Sequence, residues 1–257
     1  MSEPAPLTVS LEEEGRLLRL SLARPKANII DAQMIRALEA ALDEHLFRCG
    51  LLGTLLTAEG PNFSFGASVE EHLPGACAAM LKGFHRLLLR LLEAPTPVLA
   101  AVKGHCLGGG FELALAANLV FLAPDAKLGQ PEIKLGVFAP AASSILPERT
   151  HRAAAEDLLL SGRSIGAEEA RALGLASAVA ADPEAAARSW FRAHLLGKSA
   201  AALRCAQRAQ RLDFVPRVKE KLLRVERLYL EELMATHDAV EGLEAFLEKR
   251  PPQWEHR

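Results

Sequence analysis

Three consecutive glycines, Gly108-Gly109-Gly110, stand between an apolar strand-like run, Val98 to Val102, and a helix-like run that carries Glu112, Leu113 and Ala114. Glycine tolerates positive φ and lets backbone come close to other atoms. The first turn of a helix leaves N–H groups unpaired at the positive end of its dipole, so the pair of features suits an oxyanion. Glu112 falls in that first turn, and a second glutamate follows in Gly129-Gln130-Pro131-Glu132. Two carboxylates beside an anion-binding turn point to proton transfer. Taken singly, each feature has a plainer reading. Three glycines make a tight strand-to-helix turn, a first-turn glutamate suits the helix dipole, and Glu132 fits a solvated loop.

The elements that must position these groups follow from hydrophobic spacing. Leu7 to Leu11 alternates, Glu12 to Gly15 turns, and Leu18, Leu20 and Leu22 alternate again, which predicts a hairpin with one wet face. Met34, Leu38, Ala41, Leu42 and Leu46 recur at helical spacing behind Asp31, a good N-cap. Leu51 to Thr57, Val98 to Val102 and Leu119 to Ala123 read as short buried strands, separated by a long helical pattern around Met80 to Leu92 and by the helix after the glycines. Strands alternating with helices imply βα crossovers. From about residue 151 strand signals nearly vanish, apart from Ala176 to Val179, and helix-like stretches run to Lys249. The expectation is an α/β fold: a core over residues 1–195 followed by a helical region over residues 196–257, packed on the core or on a neighbouring subunit.

Composition narrows the function classes. The 257 residues are half apolar and about a quarter charged, as in ordinary globular proteins, and the formal charge of −2 leaves no basic excess for nucleic acid. Cys49, Cys77, Cys106 and Cys205 are scattered with no CxxC pair, and the N-terminus shows neither a signal peptide nor a long apolar span, so reduced thiols in the cytoplasm and no membrane are expected. The eight histidines form no zinc pattern, and neither GxGxxG nor GxxxxGK[ST] occurs, so no metal and no nucleotide loop is expected. His105, beside the glycines, is expected to pack or hydrogen-bond.

With those residues in view, the chain resembles the enoyl-CoA hydratase/isomerase (crotonase) superfamily, whose pattern includes Ala-Ala-Val-x-Gly-x-x-Leu-Gly-Gly-Gly-x-Glu-Leu-Ala. Here that block is Ala100 to Ala114. The likeness continues through Gly129 to Glu132, Leu158 to Arg163, Ala167 to Ala170 and Gly174-Leu175, and ends in Ala245 to Arg250. It implies a spiral of ββα turns with a C-terminal helical oligomerisation region, and a homotrimer or homohexamer. Two segments, Phe63 to Leu73 and Phe138 to Ser144, look like those of the hydratases that act on cyclohexa-1,5-diene-1-carbonyl-CoA in anaerobic aromatic degradation.

The resemblance implies roles for single residues. The backbone N–H groups of Ala67 and Gly109 would hold the thioester oxygen, and Glu112 and Glu132 would exchange protons with water and substrate. Lys26, Ala27, Phe246 and Lys249 would meet CoA, the C-terminal pair serving a neighbouring subunit's site in some members. Phe65 and Phe138 lie near the active-site loops and would shape a slot for a ring. The partner is an acyl-CoA thioester, CoA being part of the substrate, and no cofactor is implied. Three positions depart from the family pattern: Ser68 for an aspartate, Glu70 for a lysine that contacts phosphate, and Pro140 for a glycine whose amide helps orient water. The same scaffold also fits a linear 2-enoyl-CoA hydratase, a one-glutamate isomerase, or a non-catalytic RNA-binding homologue.

Overall fold

A computed structural model describes residues 5–24 and 26–257. The chain opens with β1 (Leu7–Glu12) and β2 (Leu17–Leu22), antiparallel with Leu7 opposite Leu22. Next come α1 (Ala32–His45), β3 (Gly53–Ala58), α2 (Cys77–Leu92), β4 (Val98–Val102), β5 (His105–Leu107), α3 (Gly109–Leu115), β6 (Leu119–Leu122) and β7 (Lys127–Gly129). These are followed by α4 (Pro140–Arg149), α5 (Arg152–Ser161), β8 (Ser164–Gly166), α6 (Ala167–Ala172), β9 (Ala178–Val179) and α7 (Pro183–His194). The last helices are α8 (Ala200–Gln210), α9 (Phe214–Arg227) and α10 (His237–Leu247). Among the described residues one sheet has the order β1-β2-β3-β4-β6-β9, parallel from β2 onward, and a second has the order β5-β7-β8.

Both faces of the larger sheet are covered, which explains why every residue of β3 and β4 is buried. One face packs with α1, α2 and α3 into the main core, which includes Leu18, Leu20, Leu56, Phe84 and Phe111. Leu17, Leu55, Leu99 and Phe121 on the other face meet Ala187 and Phe191 of α7. That second layer corrects the expectation of a wet face on β2. Ser21 is fully buried, and Arg19 is tied to Glu184 of α7 at 2.7 Å. The alternation in the sequence belongs to an internal strand whose polar positions have partners on a distant helix.

α1 begins as predicted, with the Asp31 carboxylate accepting from the Met34 N–H at 2.8 Å. The strands β5, β7 and β8 carry no periodic signal, because three residues are too few to show alternation. They exist through pairing with one another: Cys106 lies opposite Leu128, and Leu128 opposite Ile165. The helices after residue 196 pack back on the rest of the chain, α9 against α2 and α4, and α10 against the short turn Pro131–Leu135.

Candidate active site

Two backbone segments meet at the glycine turn. The Leu107 N–H donates to the Ser64 carbonyl at 2.9 Å, and the Ser64 N–H to the His105 carbonyl at 3.0 Å. Fully buried Asn28 braces the first segment from behind. Its side chain donates to the carbonyls of Glu59 and Asn62, and its own carbonyl accepts from the Ser64 hydroxyl at 2.8 Å. Such closeness demands small residues. A Cβ on Gly110 would stand 2.6 Å from that of Ser64. Gly108 has φ 50° and ψ −127°, a conformation reserved for glycine, and a Cβ there would stand 2.6 Å from Oε1 of Glu132. The glycine run therefore leaves room for the second carboxylate.

The same meeting brings two amides together. A Cβ on Gly109 would lie 3.1 Å from the Ala67 nitrogen, and neither the Ala67 nor the Gly109 N–H has an acceptor among the described residues. Unpaired amides side by side are suited to hold one oxygen atom.

Glu112 is 5 % exposed, on α3, and its Oε1 accepts from the Ala142 N–H at 2.6 Å. Burial raises its pKa, while the amides of Ala142 and Ala141 and the charge of His85 pull it back. Glu132 sits in the Pro131–Leu135 turn, and burial and then the charge of Glu112 push it up to about 8. Hydrogen bonds and a nearby positive charge favour a carboxylate's charged form, and Glu132 is raised further by the charge of Glu112, so Glu112 is the better anion of the two. The buried Gln130 amide nitrogen, in the orientation that satisfies both groups, lies 3.1 Å from each Glu132 oxygen.

The departures from the family pattern acquire local reasons. Pro140 is the first residue of α4, where a missing N–H costs no helical bond. The free amide of that first turn, Ala142, is spent on Glu112. Ser68 donates to Glu70 at 2.8 Å and accepts from the Glu71 N–H at 3.4 Å, so a hydroxyl organises the turn Glu70–His72.

Phe65, Ala67, Gly109, Glu112, Glu132 and Phe138 all line one pocket. Phe65 stacks on His105 with ring centres 4.9 Å apart, in keeping with a packing role for that histidine. Lys26, Ala27, Phe246 and Lys249 do not line it; Lys26, Phe246 and Lys249 are exposed. Ala27 reaches its rim through its carbonyl, which accepts from the Phe65 N–H at 2.9 Å. α10 contributes Leu243 to the lining. Two groups escape a reading of the sequence. His85 lines the pocket from α2, with Nδ1 2.5 Å from Glu226 of α9. Tyr229, wholly buried, packs edge-on against Phe138 at 5.2 Å. The signal for His85 is a titratable residue at helical spacing with Leu81 and Leu88 on an apolar face; Tyr229 has none.

No group of three or more metal-ligating side chains converges among the described residues, and no helix is long and apolar enough to cross a membrane. Against known proteins, the sequence profile of the enoyl-CoA hydratase/isomerase family matches residues 12–257. The chain belongs to this family. A cyclohexa-1,5-dienecarbonyl-CoA hydratase of Thauera aromatica is 62 % identical over 258 residues, covering 100 % of both chains. A probable enoyl-CoA hydratase of Mycobacterium bovis is 35 % identical, covering 97 % of this chain and 98 % of its own. Among solved structures, an enoyl-CoA hydratase from Mycobacterium avium subsp. paratuberculosis superposes with a TM-score of 0.84 at 26 % identity, over 97 % of this chain and 98 % of that one. The fold is the family's, a hydratase is the nearest chemistry among these relatives, and an acyl-CoA thioester is the substrate class that fits.

Proposed function

We propose that the protein adds water to cyclohexa-1,5-diene-1-carbonyl-CoA, giving 6-hydroxycyclohex-1-ene-1-carbonyl-CoA in anaerobic aromatic degradation. The hydration chemistry rests on one observation: Glu112, Glu132 and two unpaired amides share a pocket. The choice of substrate is supported by the 62 % identity to the Thauera aromatica hydratase along the whole chain.

In this reading the thioester oxygen accepts from the N–H groups of Ala67 and Gly109. Loss of one such donor costs about 3 kcal/mol of barrier. Glu112, the better anion, takes a proton from water as the hydroxyl adds to the ring carbon β to the thioester. The negative charge spreads through a dienolate onto the oxygen. Glu132, the protonated partner, delivers its proton to the far end of the diene, so that water is added 1,4 and one ring double bond remains. Carbon–oxygen and carbon–hydrogen bonds form, the diene loses one π bond, and the two carboxyls still share one proton.

The exposed Lys26 and Lys249, with Ala27 and Phe246, fit a CoA-binding rim outside the pocket, the C-terminal pair acting on a neighbouring subunit's site. Residues 196–257 then serve as the oligomerisation region of a homotrimer or homohexamer in the cytoplasm. No cofactor enters, because CoA arrives as part of the substrate. The test is mass-resolved conversion of the cyclic diene thioester beside crotonyl-CoA. Selective gain of one water by the cyclic diene supports the reading, and preference for crotonyl-CoA replaces it with a linear enoyl-CoA hydratase.

A further inference from the structure

His85 is only 4 % exposed, yet its two ring nitrogens meet different surroundings. Nδ1 faces the Glu226 carboxylate at 2.5 Å, while Nε2, on the other edge of the ring, is buried with no partner among the described residues. Buried polar atoms are nearly always satisfied, and an orphan beside a pocket calls for a reason. A carboxylate that accepts from Nδ1–H fixes the ring's orientation and favours its imidazolium form. His85 lines the same pocket as Glu112, and Glu226, with a side chain 23 % exposed, stands toward solvent on the far side.

We infer that His85, oriented by Glu226, is a positioning residue that keeps Glu112 ionised. The inference rests on the reading of Glu112 as the base. The charge of His85 lowers the proton affinity of Glu112 and opposes its burial, and Glu226 is itself held below the usual carboxylate range by its bond to His85. Other titratable groups around this ring do not replace the pair. Lys82 and Cys77 lie on α2 itself, Tyr229 packs behind Phe138, Glu132 lines the pocket, and His72, also in the lining, donates from Nδ1 to the Ser68 carbonyl at 2.7 Å. On α1, Glu39 is taken by Arg86 and Asp43 by Arg90, each at 2.6 Å.

The test compares His85→Gln, Glu226→Gln and the double variant. The Glu226→Gln amide still accepts from Nδ1–H, so it preserves the ring's orientation while removing the charge. Each single variant is expected to lower kcat about tenfold, with KM within about twofold. The double variant should be no worse than His85→Gln by more than about twofold, because the two act as a unit. The acidic limb of the kcat/KM profile, set by Glu112, should move to higher pH in both. Glu226→Gln with unchanged kcat and an unmoved limb overturns the inference, even if His85→Gln fails to fold, and additive losses in the double variant also overturn it. Running both the cyclic diene thioester and crotonyl-CoA separates the outcomes: preference for crotonyl-CoA removes the substrate proposal, and the His85 comparison is then read on crotonyl-CoA.

Discussion

Gly108→Ala puts the arrangement of the pocket under direct strain. The added methyl would lie 2.6 Å from Oε1 of Glu132, whereas ordinary contact begins near 3.4 Å, so the carboxylate or the turn must retreat by roughly 0.8 Å. The backbone at φ 50° and ψ −127° is also one that alanine adopts only under strain, at a cost of about 1–3 kcal/mol. For a chain of this size that lowers Tm by roughly 2–12 °C. Displacing a reacting group by about an ångström costs on the order of a hundredfold in rate. kcat/KM for hydration should therefore fall about a hundredfold, equivalent to about 2.7 kcal/mol. Affinity for a CoA thioester should change little, because the exposed CoA-binding candidates lie outside the pocket. The assay pairs mass-resolved hydration kinetics with thermal melting and equilibrium binding of a non-reactive acyl-CoA. A folded variant with kcat/KM within about threefold of the parent would refute the idea that the glycine exists to seat Glu132.

Two further perturbations probe the same pocket. Glu132→Gln should lower kcat by about 10²–10⁴-fold, and the parent's activity should hold up to about pH 8 and decline above it as the acid ionises. Its effect on stability has a defined sign. Folded Glu132 keeps its proton up to about pH 8, whereas the unfolded chain releases it near 4.5, so the parent loses stability as pH rises through that window. Melting curves at the two ends should show the Gln variant gaining on the parent toward alkaline pH, and a pH-independent difference would contradict the raised pKa. Phe65→Ala removes a ring that stacks on His105 while leaving 41 % of its surface exposed at the pocket. The ratio of kcat/KM for cyclic over linear thioesters should fall about tenfold, within the range a shaped apolar pocket supplies. An unchanged ratio would withdraw Phe65 from substrate selection.

The amino-acid sequence by itself determined the elements with strong local signals and singled out Glu112 and Glu132 as candidate acids. α1 starts at the Asp31 cap, β4 spans Val98–Val102, and α3 follows the glycine turn, because caps, apolar runs and glycine turns act within a few residues. The family likeness reached nearly the whole chain on the same ordered motifs, and the matching profile covers residues 12–257. What only the tertiary structure decided depends on contacts far apart in sequence. β8 is a strand because β7 stands beside it, and Ser21 is dry because α7 covers the sheet. Likewise Glu112 is the better anion of the pair because α4 aims the Ala142 amide at it and α2 brings the charge of His85 near, whereas Glu132 is raised by the charge of Glu112. His85 acquires its partner from Glu226, 141 residues later, and its place beside Glu112 from the packing of α2 and α9. No periodicity or motif encodes such a meeting, since burial and electrostatic coupling are properties of the folded neighbourhood rather than of any one segment.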